Sequence, residues 1–428
     1  MKTSRIRFVL IAAMLMLGAA QQAWAGVDAD TAMIARGEYL ARAGDCIACH
    51  TASGGKPFAG GLRIKSPMGV MYSTNITPDP VHGIGRYTEP EFAKAVRLGI
   101  RRDGKNLYPA MPYPDYRAIT DSDVQALYAY FMKGVAPVAK TPPVTALAFP
   151  FNQRWGMALW NFAFTSDKPF VLNKAESLEV NRGRYLVQTL GHCSSCHTPR
   201  GVGMQELALD DSSSSFLSGG ELNGWGVPSL RGMPSWSVAD ITAYLETGRN
   251  GFASVGGEMT GVVDHSTQHL SAEDLQSIAV YLKSLPEEKK VAQTHSNSDA
   301  ATQKTVQQLV QGQNLSAGQM VYLNNCEACH ATNGKGAAGI FPSLNGSEVV
   351  QSKNPTALIS VILKGAQTPS TQKAPSVLAM PGFEGRLNDE EIAHLATFLR
   401  SGWGNNADAV STGAVSKVRK SLAGASKG

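Results

Sequence analysis

The stretch Cys46-Ile47-Ala48-Cys49-His50 decides how this chain folds, and it has two further copies. The copies are Cys193-Ser194-Ser195-Cys196-His197 and Cys326-Glu327-Ala328-Cys329-His330, and together the three use all six cysteines of the chain. Two thiols on one helical turn can form thioethers with the two vinyl groups of a haem, and the histidine that follows can reach the iron. The sequence therefore predicts three covalently bound haems c.

Other uses of paired cysteines explain the sequence less well. Six cysteines in an exported chain could form disulfides, but none lies outside a motif. Zinc sites need four ligands where each cluster offers three, and a thioredoxin-like site needs a βαβ context that is absent. The expected haem-attaching residues are Cys46, Cys49, Cys193, Cys196, Cys326 and Cys329. The expected proximal iron ligands are His50, His197 and His330.

Residues 1–25 have the pattern of a cleaved secretory signal peptide. A basic start is followed by an apolar run from Phe8 to Ala20 and by Ala23-Trp24-Ala25, which matches a cleavage site before Gly26. The apolar run is well short of the roughly 20 residues that a spanning helix needs. We therefore expect an exported mature protein that is soluble or lies on a membrane surface.

Length and charge limit the alternatives further. At 428 residues the chain is too long for one compact core, and a prior of roughly 100 to 200 residues per domain gives two to four domains. The formal net charge is +5, and three of the basic residues belong to the signal peptide. A mature chain this close to neutral gives no indication of nucleic-acid binding.

Each motif is embedded in the same helical repeat. A helix-compatible segment with a glycine lies upstream, at Gly37, Gly183 and Gly318. A second helix downstream ends at a glycine, over residues 90–99, 237–248 and 354–365. A third helix opens with a capping residue and an acid three positions later, as Thr120 and Asp123, Ser271 and Asp274, and Asn388 and Glu391. An apolar stripe along each third helix predicts that it packs on the upstream helix.

The repeats predict an all-α protein of three tandem domains, each with one haem in its core. The expected domains are residues 26–138, 176–286 and 312–404. The linker at 287–311 is polar and is expected to be flexible, and the tail at 405–428 is expected to be poorly ordered.

The linker at 139–175 is rich in proline and aromatic residues. At helical spacing it places four apolar side chains on one face: Phe151, Trp155, Leu159 and Phe162. That face is expected either to be buried, between domains or against a partner, or to lie in a membrane interface.

One methionine in each repeat lies between the second and third helices, where its thioether can reach the iron face opposite the histidine. These candidate distal ligands are Met111, Met259 and Met380, each 11 to 15 residues after the glycine that ends the second helix. The alternative is that they fill core space, and four other methionines compete in the first two domains: Met68, Met71, Met204 and Met233. Methionine ligation in all three repeats disfavours a haem enzyme such as a peroxidase, which needs an open iron position.

Several further segments are specific in combination. They are Ser73-Thr74-Asn75-Ile76-Thr77-Pro78, Tyr108-Pro109-Ala110-Met111-Pro112-Tyr113, Phe149-Pro150-Phe151-Asn152 with Trp160-Asn161, Ser218-Gly219-Gly220, and Phe398-Leu399-Arg400 with Trp403-Gly404-Asn405. On these segments the chain resembles the triple-haem cytochrome c subunits of membrane-bound periplasmic gluconate, sorbitol, fructose and quinoprotein alcohol dehydrogenases. The resemblance implies class I cytochrome c domains with the motif histidines as proximal ligands and the three candidate methionines as distal ligands.

The resemblance also implies a division of labour. A separate flavoprotein or quinoprotein subunit oxidises the substrate, with room for a small third subunit in the complex. This subunit then passes electrons to ubiquinone on the periplasmic side of the cytoplasmic membrane. The chain has no dinucleotide-binding fingerprint, so no dehydrogenase active site is expected in it. A free-standing periplasmic electron shuttle is the alternative, but it gives no reason for the aromatic linker.

Covalent haem loading is directly testable. The mature protein is expected to begin at Gly26 and to carry three haems that survive acid-acetone extraction, because thioethers withstand that treatment. Intact-mass spectrometry measures both properties. A mass with fewer than three haems, or intact disulfides between motif cysteines, contradicts the interpretation.

Overall fold

The computed structural model describes residues 29–166, 168–222, 225–287 and 299–426, so the predicted signal peptide lies outside the described residues. The described chain is predominantly helical, with three short antiparallel hairpins. The all-α expectation therefore holds at this level, although the sequence did not predict the hairpins.

The chain forms two compact units. The first contains the first repeat, up to Tyr113 and again over Arg117–Leu159. The second contains Pro114–Tyr116, Trp160–Ser166 and the chain from Phe170 onward. The second and third repeats thus share one unit, a grouping that the motif count did not predict.

The first repeat begins with helix α1 at residues 29–43. The helices that follow, through the linker, are α2 (Cys46–His50), α3 (Glu89–Leu98), α4 (Tyr113–Tyr116), α5 (Asp121–Ala129) and α6 (Gly156–Phe164). A π-helical turn, Tyr130–Gly134, extends α5. Strands β1 (Arg63–Ser66) and β2 (Gly69–Tyr72) pair antiparallel.

The second and third repeats follow the same order. The helices of the second are α7 (Leu178–Tyr185, extended by a π-helical turn at Leu186–Leu190), α8 (Ser194–His197), α9 (Val238–Thr247), α10 (Met259–His265) and α11 (Ala272–Ser284). Those of the third are α12 (Asp299–Gln311), α13 (Ala317–Asn325), α14 (Glu327–His330), α15 (Glu348–Gln351), α16 (Thr356–Lys364), α17 (Asp389–Ser401) and α18 (Thr412–Ser426). The hairpins pair β3 (Gly220–Leu222) with β4 (Trp225–Val227), and β5 (Ala366–Gln367) with β6 (Ala379–Met380).

The structure confirms the predicted helix boundaries. Thr88 and Ser237 cap α3 and α9 with complete capping boxes, and both helices end at a glycine in the left-handed region, Gly99 and Gly248. Each third helix starts at its predicted cap, whose side chain accepts the backbone N–H three residues later. These caps are Thr120, Ser271 and Asn388.

A close crossing between the first and last helices recurs in every repeat. A Cβ on Gly183 would lie 1.9 Å from the carbonyl oxygen of Ser277 in α11. The same atom on Gly37 would lie 2.0 Å from Ala126 O, and on Gly318 2.2 Å from His394 O. Since a side chain cannot occupy that space, glycine is what lets these backbones touch. The predicted packing of the third helix on the upstream helix is confirmed.

An ion pair supports this crossing in two repeats. Arg182 donates to both carboxylate oxygens of Asp274 at 2.7 Å, and Arg36 Nε donates to Asp123 at 3.1 Å. These aspartates are the acids expected to complete capping boxes, and they bind the upstream helix instead. In the third repeat Ala317 takes the arginine position, and Glu391 accepts the backbone N–H of its own cap at 2.8 Å. The close approach of the two helices is thus the same in all three repeats, whereas the ion pair between them is found in two.

The start of the first linker is bound to the first repeat. The Asn75 amide donates to the carbonyls of Val138 and Lys140 at 2.8 and 3.0 Å. The Thr145 hydroxyl accepts the Tyr72 N–H at 2.9 Å, and Leu147 is buried. This part of the linker is therefore ordered by the repeat it leaves.

Two expectations of disorder were wrong where the structure describes the chain. Residues 299–311 form α12, and residues 412–426 form α18. Leu309, Val415 and Val418 are buried in the core of the third repeat. Residues 288–298 of the linker that was expected to be flexible lie outside the described residues.

A buried arginine holds the start of the tail in place. The Arg400 guanidinium donates to the carbonyls of Val350, Ser352 and Asp408 at 2.8, 2.7 and 2.6 Å. Buried charge is costly unless it is fully hydrogen-bonded, and these three acceptors supply the bonds. The segment after α17 is thereby tied to α15 before α18 begins.

The second and third repeats also bond directly to each other. Gly339 N–H donates to Asn250 O at 3.1 Å, and Ser343 N–H donates to Phe252 O at 2.9 Å. Lys373 pairs with Glu246 at 2.5 Å. Backbone bonds across the boundary explain why these repeats form one unit.

The helix crossing can be tested with Gly183→Ala. The added methyl would overlap Ser277 O, so we expect a lower free energy of unfolding by about 1–3 kcal/mol or more. Far-UV circular dichroism during thermal unfolding of the haem-loaded protein measures the change. Gly261→Ala is the matched control, because this helical glycine has open space around its Cβ position. Equal stability of the two variants would show that the crossing is not tightly packed.

Candidate haem-binding sites

Each motif lies on a short helix that presents its two cysteines and its histidine together. Helix α2 spans the whole first motif, and α8 and α14 begin one residue after the first cysteine of theirs. All six cysteines lie among the described residues, and none of them is paired in a disulfide. Both sulfurs of each motif therefore lie on one short helical segment with its histidine, where a single haem could bind them.

A hydrogen bond to a backbone carbonyl orients each motif histidine. His50 Nδ1 lies 2.7 Å from Thr74 O, His197 Nδ1 2.8 Å from Pro228 O, and His330 Nδ1 2.9 Å from Pro342 O. Since a carbonyl only accepts, Nδ1 carries the proton in all three rings. The lone pair is then on Nε2, as an iron ligand requires.

These carbonyl acceptors were not predicted from the sequence, although two of the three lie in the same short sequence motif. The tripeptide Pro-Ser-Leu follows the second motif at 228–230 and the third at 342–344. The first repeat has Thr74-Asn75-Ile76 in the same role, so the tripeptide alone could not have identified it.

Burial sets the protonation of these side chains. It lowers the pKa of His50, His197 and His330, which keeps the imidazoles neutral at neutral pH. It raises the pKa of the Cys46, Cys193 and Cys326 thiols to about 12 and that of Cys196 to about 11.

The candidate methionines are partly buried, in different local structures. Met111 lies in a turn, where its carbonyl accepts the Tyr113 N–H at 2.8 Å. Met380 lies in β6, paired with Ala366. Met259 is the first residue of α10, a short helix between α9 and α11. Ligation of iron by these methionines stays a prediction.

In the first and third repeats the methionine segment packs on the glycine that ends the second helix. A Cβ on Gly365 would lie 2.2 Å from Met380 O, and one on Gly99 would lie 2.7 Å from the Tyr113 ring. In these two repeats the spacing between the glycine and the methionine is thus explained by the packing of the methionine segment on that glycine. The competing methionines differ in exposure: Met71 and Met233 are buried, whereas Met204 is exposed.

Comparison with protein families gives matches to the cytochrome c family over residues 34–134, 180–286 and 315–403. The matched segments contain the three motifs and the three candidate methionines.

Several characterised proteins are similar along most of the chain. The cytochrome c subunit of alcohol dehydrogenase (quinone) from Gluconobacter oxydans is 47% identical over 404 residues, covering 92% of this chain and 83% of the relative. The gluconate 2-dehydrogenase cytochrome c subunit of Pantoea cypripedii is 45% identical, covering 92% and 91%. The fructose dehydrogenase cytochrome subunit of Gluconobacter japonicus is 39% identical, covering 90% and 82%.

Single replacements test the methionine ligands. A thioether on ferric haem gives a weak near-infrared charge-transfer band, so Met111→Ala, Met259→Ala or Met380→Ala should each remove about one third of the band and lower one haem potential. Near-infrared absorption and redox titration are the measurements. Met204→Ala and Met233→Ala are the controls. The second-repeat assignment fails if Met259→Ala leaves the band intact and a control reduces it.

Proposed function

We propose that this chain, which belongs to the cytochrome c family and within it to the cytochrome c subunits of alcohol, gluconate and fructose dehydrogenases, is the electron-transfer subunit of a dehydrogenase complex. Three haems c are bound covalently through the cysteine pairs of the motifs. The observation that carries the proposal is the threefold recurrence of one site in a single chain: two cysteines outside any disulfide and a histidine held with Nε2 available.

The residues of each site suit electron transfer rather than substrate chemistry. A bound haem c accepts and releases one electron. His50, His197 and His330 would ligate the iron through Nε2, and Met111, Met259 and Met380 would be the second protein ligands. Two protein ligands on each iron would exclude substrate from it, and a methionine ligand would raise the reduction potential. The division into domains at 26–138, 176–286 and 312–404 is part of this proposal.

The electron donor is a separate catalytic subunit, a flavoprotein or a quinoprotein, and the acceptor is ubiquinone. We place the complex on the periplasmic side of the cytoplasmic membrane, with cleavage of the signal peptide before Gly26. Among the described residues, none of the helices has the length and apolar character needed to cross a bilayer.

The aromatic face of the first linker is the candidate attachment surface. Phe162 is 90% exposed, Trp155 67%, Leu159 64% and Phe151 49%. Side chains this exposed are available to a partner protein or to the membrane interface.

This surface begins beside the segment that carries Met111. The Tyr108 hydroxyl donates to Phe151 O at 2.9 Å, and the Arg154 guanidinium lies 4.5 Å from the centre of the Tyr108 ring. Arg154 Nη1 also donates to Asn106 O at 2.8 Å. A partner docked on the linker would therefore be close to the distal side of the first haem, where electrons can enter or leave.

The proposal is tested by replacing Trp155 and Phe162 together with Ser. The wild-type chain is expected to co-purify with a catalytic subunit and to support substrate-driven ubiquinone reduction in membranes. The double variant should keep its haems but lose membrane retention and most quinone reduction, because exposed aromatics anchor such interfaces. Ferricyanide reduction controls for the catalytic subunit.

Leu178→Ser with Val310→Ser is the matched control, since both side chains are exposed and apolar but lie outside the aromatic linker at 139–175. If the linker variant behaves like this control, the aromatic face has no docking role. If the wild-type chain purifies alone from membranes and shuttles electrons freely, the free-standing alternative replaces the complex.

A further inference from the structure

Two buried carboxyl groups lie against the second haem motif. Asp115 is 2% exposed, and the Glu206 side chain is 4% exposed. Asp115 accepts the hydroxyls of Ser194 at 2.5 Å and Ser195 at 3.1 Å, and Ser195 is also 3.3 Å from Glu206 Oε1. These serines are the two residues between Cys193 and Cys196, so the acids bind side chains directly next to the two haem-attaching cysteines.

The pair is incomplete without a proton. Both carboxyl groups lie within hydrogen-bond distance of the Ser195 hydroxyl, which has one proton to donate, and neither carboxyl group can donate when ionised. Glu206 Oε2 is buried and has no hydrogen-bond donor among the described residues. A proton shared by the pair satisfies both observations. Burial and then repulsion by Glu206 raise the pKa of Asp115 well above its ordinary value, and burial raises that of Glu206.

One cation opposes proton binding. Arg200 Nη1 lies 3.6 Å from Glu206 Oε1, and its charge favours the ionised carboxylates of both acids. The other titratable groups around the motif are His192, whose ring is packed edge-on against Tyr116, and Glu258, which acts on Cys196. Once the haem is attached, Cys193 and Cys196 are thioethers and do not titrate.

We propose that Asp115 and Glu206 form a proton-binding site whose occupancy is linked to the oxidation state of the second haem. When the iron goes from Fe(III) to Fe(II) by accepting one electron from the catalytic subunit, one carboxylate of the pair takes one proton from water. When the electron leaves towards quinone, the proton returns to water. The inference rests on the proposed electron-transfer function.

The physical basis is the loss of one positive charge beside a group of low solvent access. Ferric haem favours the ionised pair, and ferrous haem favours the protonated pair. The pKa of the pair is therefore higher in the reduced protein, and proton uptake accompanies reduction at pH values between the two pKa values. Since burial raises both carboxyl pKa values, this window lies above the ordinary carboxyl range of about 4.

Spectroelectrochemical titration of the purified three-haem subunit at a series of pH values tests the link. One haem transition should move to lower potential as pH rises, with a slope of up to about 59 mV per pH unit, the one-electron equivalent of a tenfold change in proton activity. Asp115→Asn with Glu206→Gln should abolish the slope of that transition and leave the other two unchanged. Arg200→Gln should keep the slope, but the pH range over which the potential changes should move to higher pH.

Glu273→Gln, which removes an exposed carboxylate of α11, is the control and should match the wild type. Redox-difference infrared spectra of the wild type supply a readout that needs no variant: a protonated-carboxyl band should grow on reduction and vanish in the double variant. An unchanged slope in a folded double variant, or no carboxyl band in the wild type, overturns the proton link. Reversible reduction of three haems in the same titration tests electron transfer separately.

Discussion

Everything in each repeat depends on one close approach, between the backbone of the helix before the motif and the backbone of the helix that ends the repeat. Gly37, Gly183 and Gly318 make this approach possible, because any Cβ there would overlap a carbonyl oxygen. The crossing brings the two ends of a repeat of about 100 residues together and fixes where the motif helix begins. Apolar and aromatic residues of the third helix then form the core around it.

The helix crossing fixes the frame of each repeat, and the loops between the helices determine the surroundings of the haem motif. Those loops supply the carbonyls that accept from the motif histidines, at Thr74, Pro228 and Pro342. One hydrogen bond per ring selects the tautomer that can bind iron, and burial keeps the ring neutral. The same local design appears three times, while the surroundings differ from site to site. Only the second motif has paired serines between its cysteines, and it is there that the buried acids lie.

Structure that depends on neighbouring residues could be predicted from the sequence. Structure that depends on contacts between residues far apart in the chain could not. Caps and glycine stops are local signals, and they placed the helices correctly. The order of α12 and α18 depends on burial in the third core and on Arg400 reaching carbonyls about 50 residues away. Asp115 and Glu206 are 91 positions apart in the sequence, so their contact with one motif could not be predicted from it. The helix that begins at Met259 has no capping side chain at its start, so no local signal in the sequence predicted it.

The central claim is that substrate electrons pass through this chain to quinone. Rapid mixing of the isolated complex with the substrate of its catalytic subunit, without an acceptor, tests it most directly through the absorption of reduced haem. We predict that this substrate reduces the haems at least as fast as steady-state turnover, and that a ubiquinone analogue then reoxidises them. Haems that stay oxidised while the same substrate reduces an artificial dye would contradict the account.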